Sequence, residues 1–269
     1  MKISIIILHY GNIDTTIRCI KSVNLLHFSG ILSIILINND SSIKLTKSSL
    51  SLSGFSYPLT IVNSAFNQGF ASGVNQGLVL SLKDKKTDAV LLLNNDTVVP
   101  NNLLSKLARA PFDIVAPVIK FKFGGQMVYD YGGVVNRWTG KTHHRELTDY
   151  PLEMVAKSID YVSFCCVLIN RKVFERIGFL DKQFFFYFED VDYCLRATNA
   201  GFSVCVEPSV TIYHELSAAI GRWSREAIIN NLKSNGLFII KHLGWRVPVG
   251  LMYLSLLSLK IMINRIIKR

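Results

Sequence analysis

The sequence predicts an α/β fold: a mixed sheet flanked by helices, followed by a basic, apolar helical tail. Three observations carry this. Continuous β-branched runs such as Ile3-Ser4-Ile5-Ile6-Ile7-Leu8 mark strands buried on both faces. They alternate with segments of helical apolar spacing, the pattern of a sheet with right-handed crossovers. Polar clusters follow four of the strand ends, where such sheets bind their ligands. With 269 residues, 49% of them hydrophobic, the chain can bury a sizeable core as one large domain, alone or with an appendage.

The elements follow in order. After the first strand, His9-Tyr10-Gly11-Asn12 is a turn, and Asp14 or Thr15 is expected to cap a helix with Ile17, Ile20 and Val23 on one side. Leu32–Ile37 is a second buried strand ending in Asn38-Asn39-Asp40-Ser41-Ser42. Thr60–Asn63 is a short third strand, followed by Asn67-Gln68-Gly69-Phe70-Ala71-Ser72-Gly73 and a helix to about Leu82. Asp88–Leu93 is a fourth strand ending in Asn94-Asn95-Asp96-Thr97. Pro100 starts a helix that turns Leu103, Leu104 and Leu107 inward. Ile114–Val118 is a fifth strand, which Pro117 assigns to an edge or a bulge.

From Gly124 to about Ser158 the pattern weakens, with hairpin turns at Gly132-Gly133 and Thr139-Gly140. His143 and His144 are neighbours that point apart in a strand, which argues against a metal pair. Tyr161–Ile169 reads as a strand and Lys172–Ile177 as a short helix stopped by Gly178. Phe184, Phe186 and Phe188 alternate as in a half-buried extended segment, and from Glu189 the spacing turns helical to about Ala200-Gly201. Glu189 and Asp190 therefore stand where an unpaired helix start favours carboxylates; capping alone would account for either one. Val204–Val206 and Val210–Tyr213 are short strands, and His214 follows directly.

Composition narrows the function classes. A net charge of +11 calls for an anionic partner or surface, but no helix-turn-helix, zinc-finger or aromatic RNA-binding signature is present, so nucleic acid is not expected. Five cysteines without framework spacing point to reduced thiols in a cytosolic protein. The apolar run Met1–His9 is too short for a signal peptide. Asp96, at a strand end behind Asn94 and Asn95, suits a hard divalent cation that fills its shell with water and diphosphate oxygens, and His214 can add a ligand that suits manganese. No Walker lysine loop is present to hold phosphates in that other way.

At this point the chain resembles a known family, the family 2 glycosyltransferases of GT-A fold, a Rossmann-like mixed sheet flanked by helices, and especially its bacterial rhamnosyltransferase-like members. The resemblance rests on Leu8–Asn12 with Thr15, Asn38–Ser41, Asn67–Asn75, Leu92–Thr97, Phe179–Asp181, Phe186–Asp192 and His214, which occur in family order over roughly residues 2 to 240. It implies an inverting transfer of a sugar, with rhamnose from a thymidine-diphosphate donor suggested, onto a glycan acceptor of surface polysaccharide, O-antigen or capsule. His9, Tyr10, Asn12, Asn38, Asp40, Asn67, Gly69 and Asn95 would line the nucleotide-sugar site. Asp96, at the last position of the family's DxD motif, and His214 would hold Mn2+ or Mg2+. Asp190 would be the general base, with Glu189 orienting acceptor or base; Asp192 instead faces Arg196 at i,i+4. Two departures stand out: Asn38 replaces a common Asp, and Asn94-Asn95-Asp96 offers a single carboxylate. A non-catalytic nucleotide-sugar or glycan-binding module would explain both departures but not Glu189-Asp190 and His214. A sugar nucleotidyltransferase would want a glycine-rich basic first loop, which Leu8–Asn12 lacks.

The expected organisation is a catalytic domain over residues 1–226, its nucleotide-sugar half about 1–120 and its acceptor half about 121–226, then a tail over 227–269. No acidic residue follows Glu226. Pro248–Ile267 is nearly apolar, with Lys260, Asn264 and Lys268 at i,i+4 spacing, Tyr253 nearby and Arg265 and Arg269 widening the polar stripe. It reads as a helix lying in the surface of an anionic membrane, with the protein peripheral on the cytoplasmic face near a lipid-linked acceptor. A core-packing amphipathic helix is the plainer alternative.

Overall fold

The computed structural model describes residues 1–51, 54–148, 159–215 and 224–267, with side chains to residue 264. The chain runs β1 (Lys2–His9), α1 (Ile13–Asn24), β2 (Ile31–Asn38), β3 (Leu59–Asn63), α2 (Gly69–Lys83), β4 (Ala89–Asn94), β5 (Thr97–Val98) and α3 (Leu103–Leu107). It continues through β6 (Ile114–Phe123), β7 (Gln126–Val135), β8 (Thr142–Leu147), β9 (Cys166–Asn170), α4 (Arg171–Ile177), α5 (Glu189–Asn199) and β10 (Val204–His214). After α6 (Arg225–His242), a 3-10 turn over Gly244–Arg246 leads into α7 (Val247–Ile267). The described strands form one sheet in the order β3-β2-β1-β4-β9-β6-β10-β5, with β7 on β6 and β8 on β7. β3, β2, β1 and β4 are parallel; β9 runs antiparallel between β4 and β6.

The unbroken apolar run of β1 is explained by helices on both faces. Ile6 and Leu8 join Phe70, Val74 and Leu78 of α2, Val191, Cys194 and Leu195 of α5, and Phe238 and Ile239 of α6. Ile3, Ile5 and Ile7 join Cys19, Ile20 and Val23 of α1 and Leu103, Leu104 and Leu107 of α3. Each such side chain taken out of water contributes about 1.5–3 kcal/mol. α2 lies close on the sheet because Gly77 has no side chain: a Cβ there would stand 2.6 Å from Ile6 Cγ2.

Several elements differ from the sequence-based expectations. α1 is capped by Asn12, whose side chain accepts from the Asp14 N–H, rather than by Asp14 or Thr15. α3 starts at Leu103, past Pro100, because the Leu103 N–H bonds back to the Pro100 carbonyl. Pro117 lies in a central strand, not at an edge, and the bulge alternative holds: the register jumps on the partner strand from Pro117–Glu207 to Val118–Thr211. That jump also joins the two expected strands into the single β10. Tyr161 makes only an isolated bridge to Gly133, and the chain turns at Phe164-Cys165 before β9 begins. Phe184–Phe188 is not extended: Tyr187 and Phe188 have φ of 71° and 67°, both left-handed.

The tail helices differ from one another. α6 packs into the core through Phe238 and Ile239. α7 lies on α6, where a Cβ on Gly250 would stand 2.7 Å from Ile239 Cγ2 and one on Gly236 3.4 Å from Leu254. The side chain of Arg265, and Lys268 and Arg269, fall outside the described residues, as do 149–158 and 216–223 around the expected acceptor half and domain boundary.

Candidate active site

Sequence and fold bring the polar clusters to one edge of the sheet. β1, β2 and β4 are parallel neighbours in register, so His9 sits beside Asn38 and Leu8 beside Asn94. The loops that follow are then bonded to one another. Asp40 accepts from the Gly11 N–H at 3.1 Å and from the Ser42 hydroxyl at 2.6 Å. The Ser42 hydroxyl is the chief reason its carboxyl lies below the usual range. Asn39 accepts from the Gln68 N–H and donates to Asn67 and to the Gly69 carbonyl, each at 3.0 Å, and Asn67 in turn accepts from the Gly69 N–H.

Three of the expected nucleotide-site residues face inward. Asn38 donates to the Ile43 carbonyl at 2.7 Å and to Asn63 at 2.8 Å. The Asn95 amide reaches Thr16 at 2.9 Å, with the Tyr10 carbonyl 3.4 Å away. His9 is fully buried with Nδ1 2.6 Å from the Thr16 hydroxyl; burial holds its pKa below 6.5 against the pull of Asp40, so the ring is neutral at pH 7. These side chains shape the loops rather than extend from them. Asn12 is committed to its helix cap.

The short β5 was invisible to sequence patterning, yet it makes the next pair. It runs antiparallel to the end of β10, with His214 opposite Thr97, and so brings His214 Nε2 to 3.1 Å from Asp96 Oδ1. Asp96 is buried and His214 half-buried. A bidentate Arg18–Glu215 pair ties the strand end to α1. Among the described residues no group of three or more His, Cys, Asp or Glu could hold an ion unaided. A carboxylate oxygen and an imidazole nitrogen bound at about 2.0–2.2 Å in adjacent positions of one ion stand about 3 Å apart. The Asp96–His214 spacing therefore fits two ligands of an ion that completes its shell with non-protein oxygens.

Glu189 and Asp190 open α5, and the loop before them is clamped on several sides. Gly69, at φ 78°, lets the start of α2 pass against Phe185, where a Cβ would collide with the Phe185 carbonyl; the Phe70 N–H bonds that carbonyl at 2.8 Å. Ser234 of α6 donates to the Phe186 carbonyl at 2.8 Å, and Phe188 packs on Phe238 with ring centroids 5.3 Å apart. Phe184 and Phe188 are buried. These contacts hold two left-handed residues that cost about 1–3 kcal/mol each. The result is an abrupt helix start that fixes both carboxylates and joins the 67–70 loop to them.

Their surroundings separate the two acids. Glu189 is buried, and its Oε2 has no hydrogen-bond partner among the described residues; burial and the adjacent Asp190 push its pKa well above 4.5. Burial raises Asp190 as well. It is opposed there by the His144 imidazole and by backbone N–H groups, including Val191 at 2.8 Å and Phe164. His144 is in turn bonded to the buried Asp130 at 2.9 Å and stands edge-on to Tyr161, ring centroids 5.1 Å apart. Burial alone would lower the His144 pKa, but Asp130, Asp190 and Glu146 carry it above 6.5. Asp130 and His144 were missed as site residues because β7 and β8 carry no clear period; an Asp two residues before Gly132-Gly133 was the available signal. Asp192 faces away, bonded to Arg196 at 2.8 Å as its spacing predicted, and also to Lys241 and His242 of α6.

A mixed sheet of this order, with a carboxylate–imidazole pair and a carboxylate-bearing helix start at the carboxyl edge of its parallel strands, is a GT-A glycosyltransferase fold. A model of glycosyl transferase family 2 matches residues 4–178, and the chain belongs to that family. A low-salt glycan biosynthesis hexosyltransferase of Haloferax volcanii is 25% identical over 215 residues, 75% of this chain and 63% of that protein. An N-acetylglucosaminyl-diphospho-decaprenol L-rhamnosyltransferase of Mycobacterium tuberculosis is 31% identical over 116 residues, 42% of this chain and 36% of that one. This chain thus spans less than two thirds of either. Among solved structures, GalNAc-T7 with UDP, GalNAc and Mn2+ aligns with a TM-score of 0.65 at 13% identity, over 88% of this chain and 47% of that one. A mannosyltransferase from Pyrobaculum calidifontis with GDP-Man and Mn2+ aligns at 0.60 and 14%, over 95% and 74%. At these identities the structures speak to the fold alone.

Proposed function

We propose that the protein is an inverting glycosyltransferase that moves a sugar, rhamnose being the leading candidate, from a nucleotide diphosphate to a hydroxyl of a lipid-linked glycan in surface polysaccharide synthesis, O-antigen or capsule. The observation that carries this reading is the placement of the Glu189–Asp190 pair at the clamped start of α5, where burial raises both carboxyls and only Asp190 has the His144 imidazole and the Val191 and Phe164 N–H groups to oppose the rise. The shared proton rests on Glu189, leaving Asp190 as the base. Asp190 takes the proton of the acceptor hydroxyl as that oxygen bonds to the anomeric carbon and the diphosphate leaves from the opposite face. Protonated Glu189 donates a hydrogen bond into the acceptor site. The loops at 9–12, 38–42 and 67–70 cradle the nucleotide sugar, mainly through backbone groups, since His9, Asn38 and Asn95 are engaged within the protein. Asp96 and His214 would hold Mn2+ or Mg2+, which when bound would neutralise charge on the leaving diphosphate. The relatives named as a hexosyltransferase and a rhamnosyltransferase support the sugar class. The decaprenol-linked acceptor in the latter's name supports a lipid carrier, and with it a peripheral position on the cytoplasmic membrane face.

Thermal unfolding with a panel of nucleotide sugars, each with and without Mn2+, tests the donor half of this reading. The matching donor at 100 times its dissociation constant stabilises by about 2.7 kcal/mol. Asp96→Ala should remove the manganese-dependent part of that shift. A panel without any stabilising nucleotide sugar would sink the reading. A shift indifferent to Mn2+ in the parent would remove Asp96 and His214 from the metal role.

A further inference from the structure

Resting on the reading of a membrane-borne acceptor, we propose that α7, the 3-10 turn before it and the turn joining β7 to β8 form one composite docking surface for an anionic bilayer. The last of these belongs to the catalytic sheet, so the surface is more than an appended tail.

The outer side of α7 is apolar and uncovered: Leu251, Met252, Leu256, Leu259, Met262 and Ile263 are 39–62% exposed. At helical spacing these six fall within one arc, opposite the Gly250 and Leu254 side that rests on α6. At the start of the helix, Trp245 is 73% exposed and Trp138, from the β7–β8 turn, 51% exposed. Their rings meet edge-to-face at 5.3 Å, and the Arg246 guanidinium lies 4.8 Å from one and 5.1 Å from the other. Two indoles and a guanidinium present apolar bodies with polar tips, the chemistry of the headgroup level of a bilayer. The charge agrees with an anionic partner: no acidic residue follows Glu226, and Lys260 is exposed beside the apolar arc.

The fold also selects how α7 meets the bilayer. The segment Gly244–Asn264 is long and apolar enough to cross a membrane. However, the first half of α7 is fastened to α6, and α6 is fastened to the sheet through the fully buried Phe238 and Ile239. A crossing helix would have to leave that seat or draw the sheet with it. α7 therefore lies along the surface with its outer arc in the acyl boundary. The hairpin that supplies Trp138 also carries Asp130 and His144, the pair that acts on Asp190. The membrane is thereby placed on the acceptor side of the molecule.

The test uses the full chain with vesicles of phosphatidylcholine alone or mixed with phosphatidylglycerol. The expected result is co-sedimentation with the anionic vesicles, weakened by high salt, with a blue shift of tryptophan emission. Trp138→Ala and the outer-arc double variant M252S with L256S should each bind about tenfold or more weakly. Both should keep the donor-induced thermal shift, which shows that they are folded and separates this proposal from the reading it rests on. Loss of vesicle binding only in the α7 variant would exclude the β7–β8 turn from the surface. Absence of vesicle binding in the parent, or an α7-dependent dimer in sedimentation without lipid binding, would overturn the proposal while leaving donor binding to stand or fall separately.

Discussion

Asp190 and Glu189 are chemically alike and adjacent, and what differs is their company. Glu189 has burial and a neighbouring carboxyl; Asp190 is buried too, but it has backbone N–H groups and an imidazole whose pKa Asp130 helps raise. A positive neighbour favours the ionised carboxylate, so removing it raises the Asp190 pKa. His144→Gln should therefore move the acidic limb of kcat/KM to higher pH, with most of the activity recovered above that limb. Asp130→Asn should move it the same way through the loss of charge on His144. An unmoved limb would mean that His144 does not act on the base. At this scale the sequence singled out residues at the boundary of a patterned element: Asp96 follows a strand, His214 ends one, and Glu189-Asp190 opens a helix. It was silent on Asp130–His144, 14 residues apart across an irregular hairpin, because only the β7–β8 pairing brings them together. For Asn38 and Asn95 the sequence did not show that their side chains bond neighbouring loops, which a polar residue at a strand end can do as well as meet a ligand.

The element that matters most is α5. Alternating aromatics ahead of it suggested an extended approach, but period two does not distinguish a strand from an irregular loop with alternate rings buried. Here the packing of Phe184 and Phe188 and the bonds from α2 and α6 select the left-handed turn. The other end of the clamp is Asp192, fully buried, with Arg196, Lys241 and His242 around it. Burial alone would raise its pKa, but His242, Lys241 and Arg196 bring it from 3.8 to about 2. A carboxyl depressed on folding contributes stability that is complete above its unfolded pKa and is lost as pH falls through the folded one. The loss from this group therefore falls between about pH 4 and pH 2 and amounts to about 2 kcal/mol. Urea unfolding at pH 5 and pH 2 should show that component in the parent and not in Asp192→Asn, which should also be less stable at pH 5. An equal acid loss in both would contradict the assignment of Asp192 as the joint between α5 and α6.

Across the whole molecule, the parallel half was legible because β1, β2 and β4 are buried on both faces and read as unbroken apolar runs. The rest of the sheet was less so: β7 and β8 lie off the main strand order, and β5 is two residues long. The tail looked like one unit in composition, but α6 belongs to the core and α7 to the surface, a division set by Phe238 and Ile239 that charge counting cannot see. The cysteines fit the core between sheet and helices: Cys19, Cys165, Cys166 and Cys194 are buried, and burial raises their thiols above the ordinary range.

The central claim is that Asp190 is the base of a glycosyl transfer carried out at this edge of the sheet. It is tested most directly by Asp190→Asn, assayed for transfer with the donor identified by thermal shift and, in parallel, for binding of that donor. The expected outcome is transfer reduced by about 10²- to 10⁴-fold with donor affinity and its Mn2+ dependence nearly unchanged. Full turnover in Asp190→Asn would contradict it.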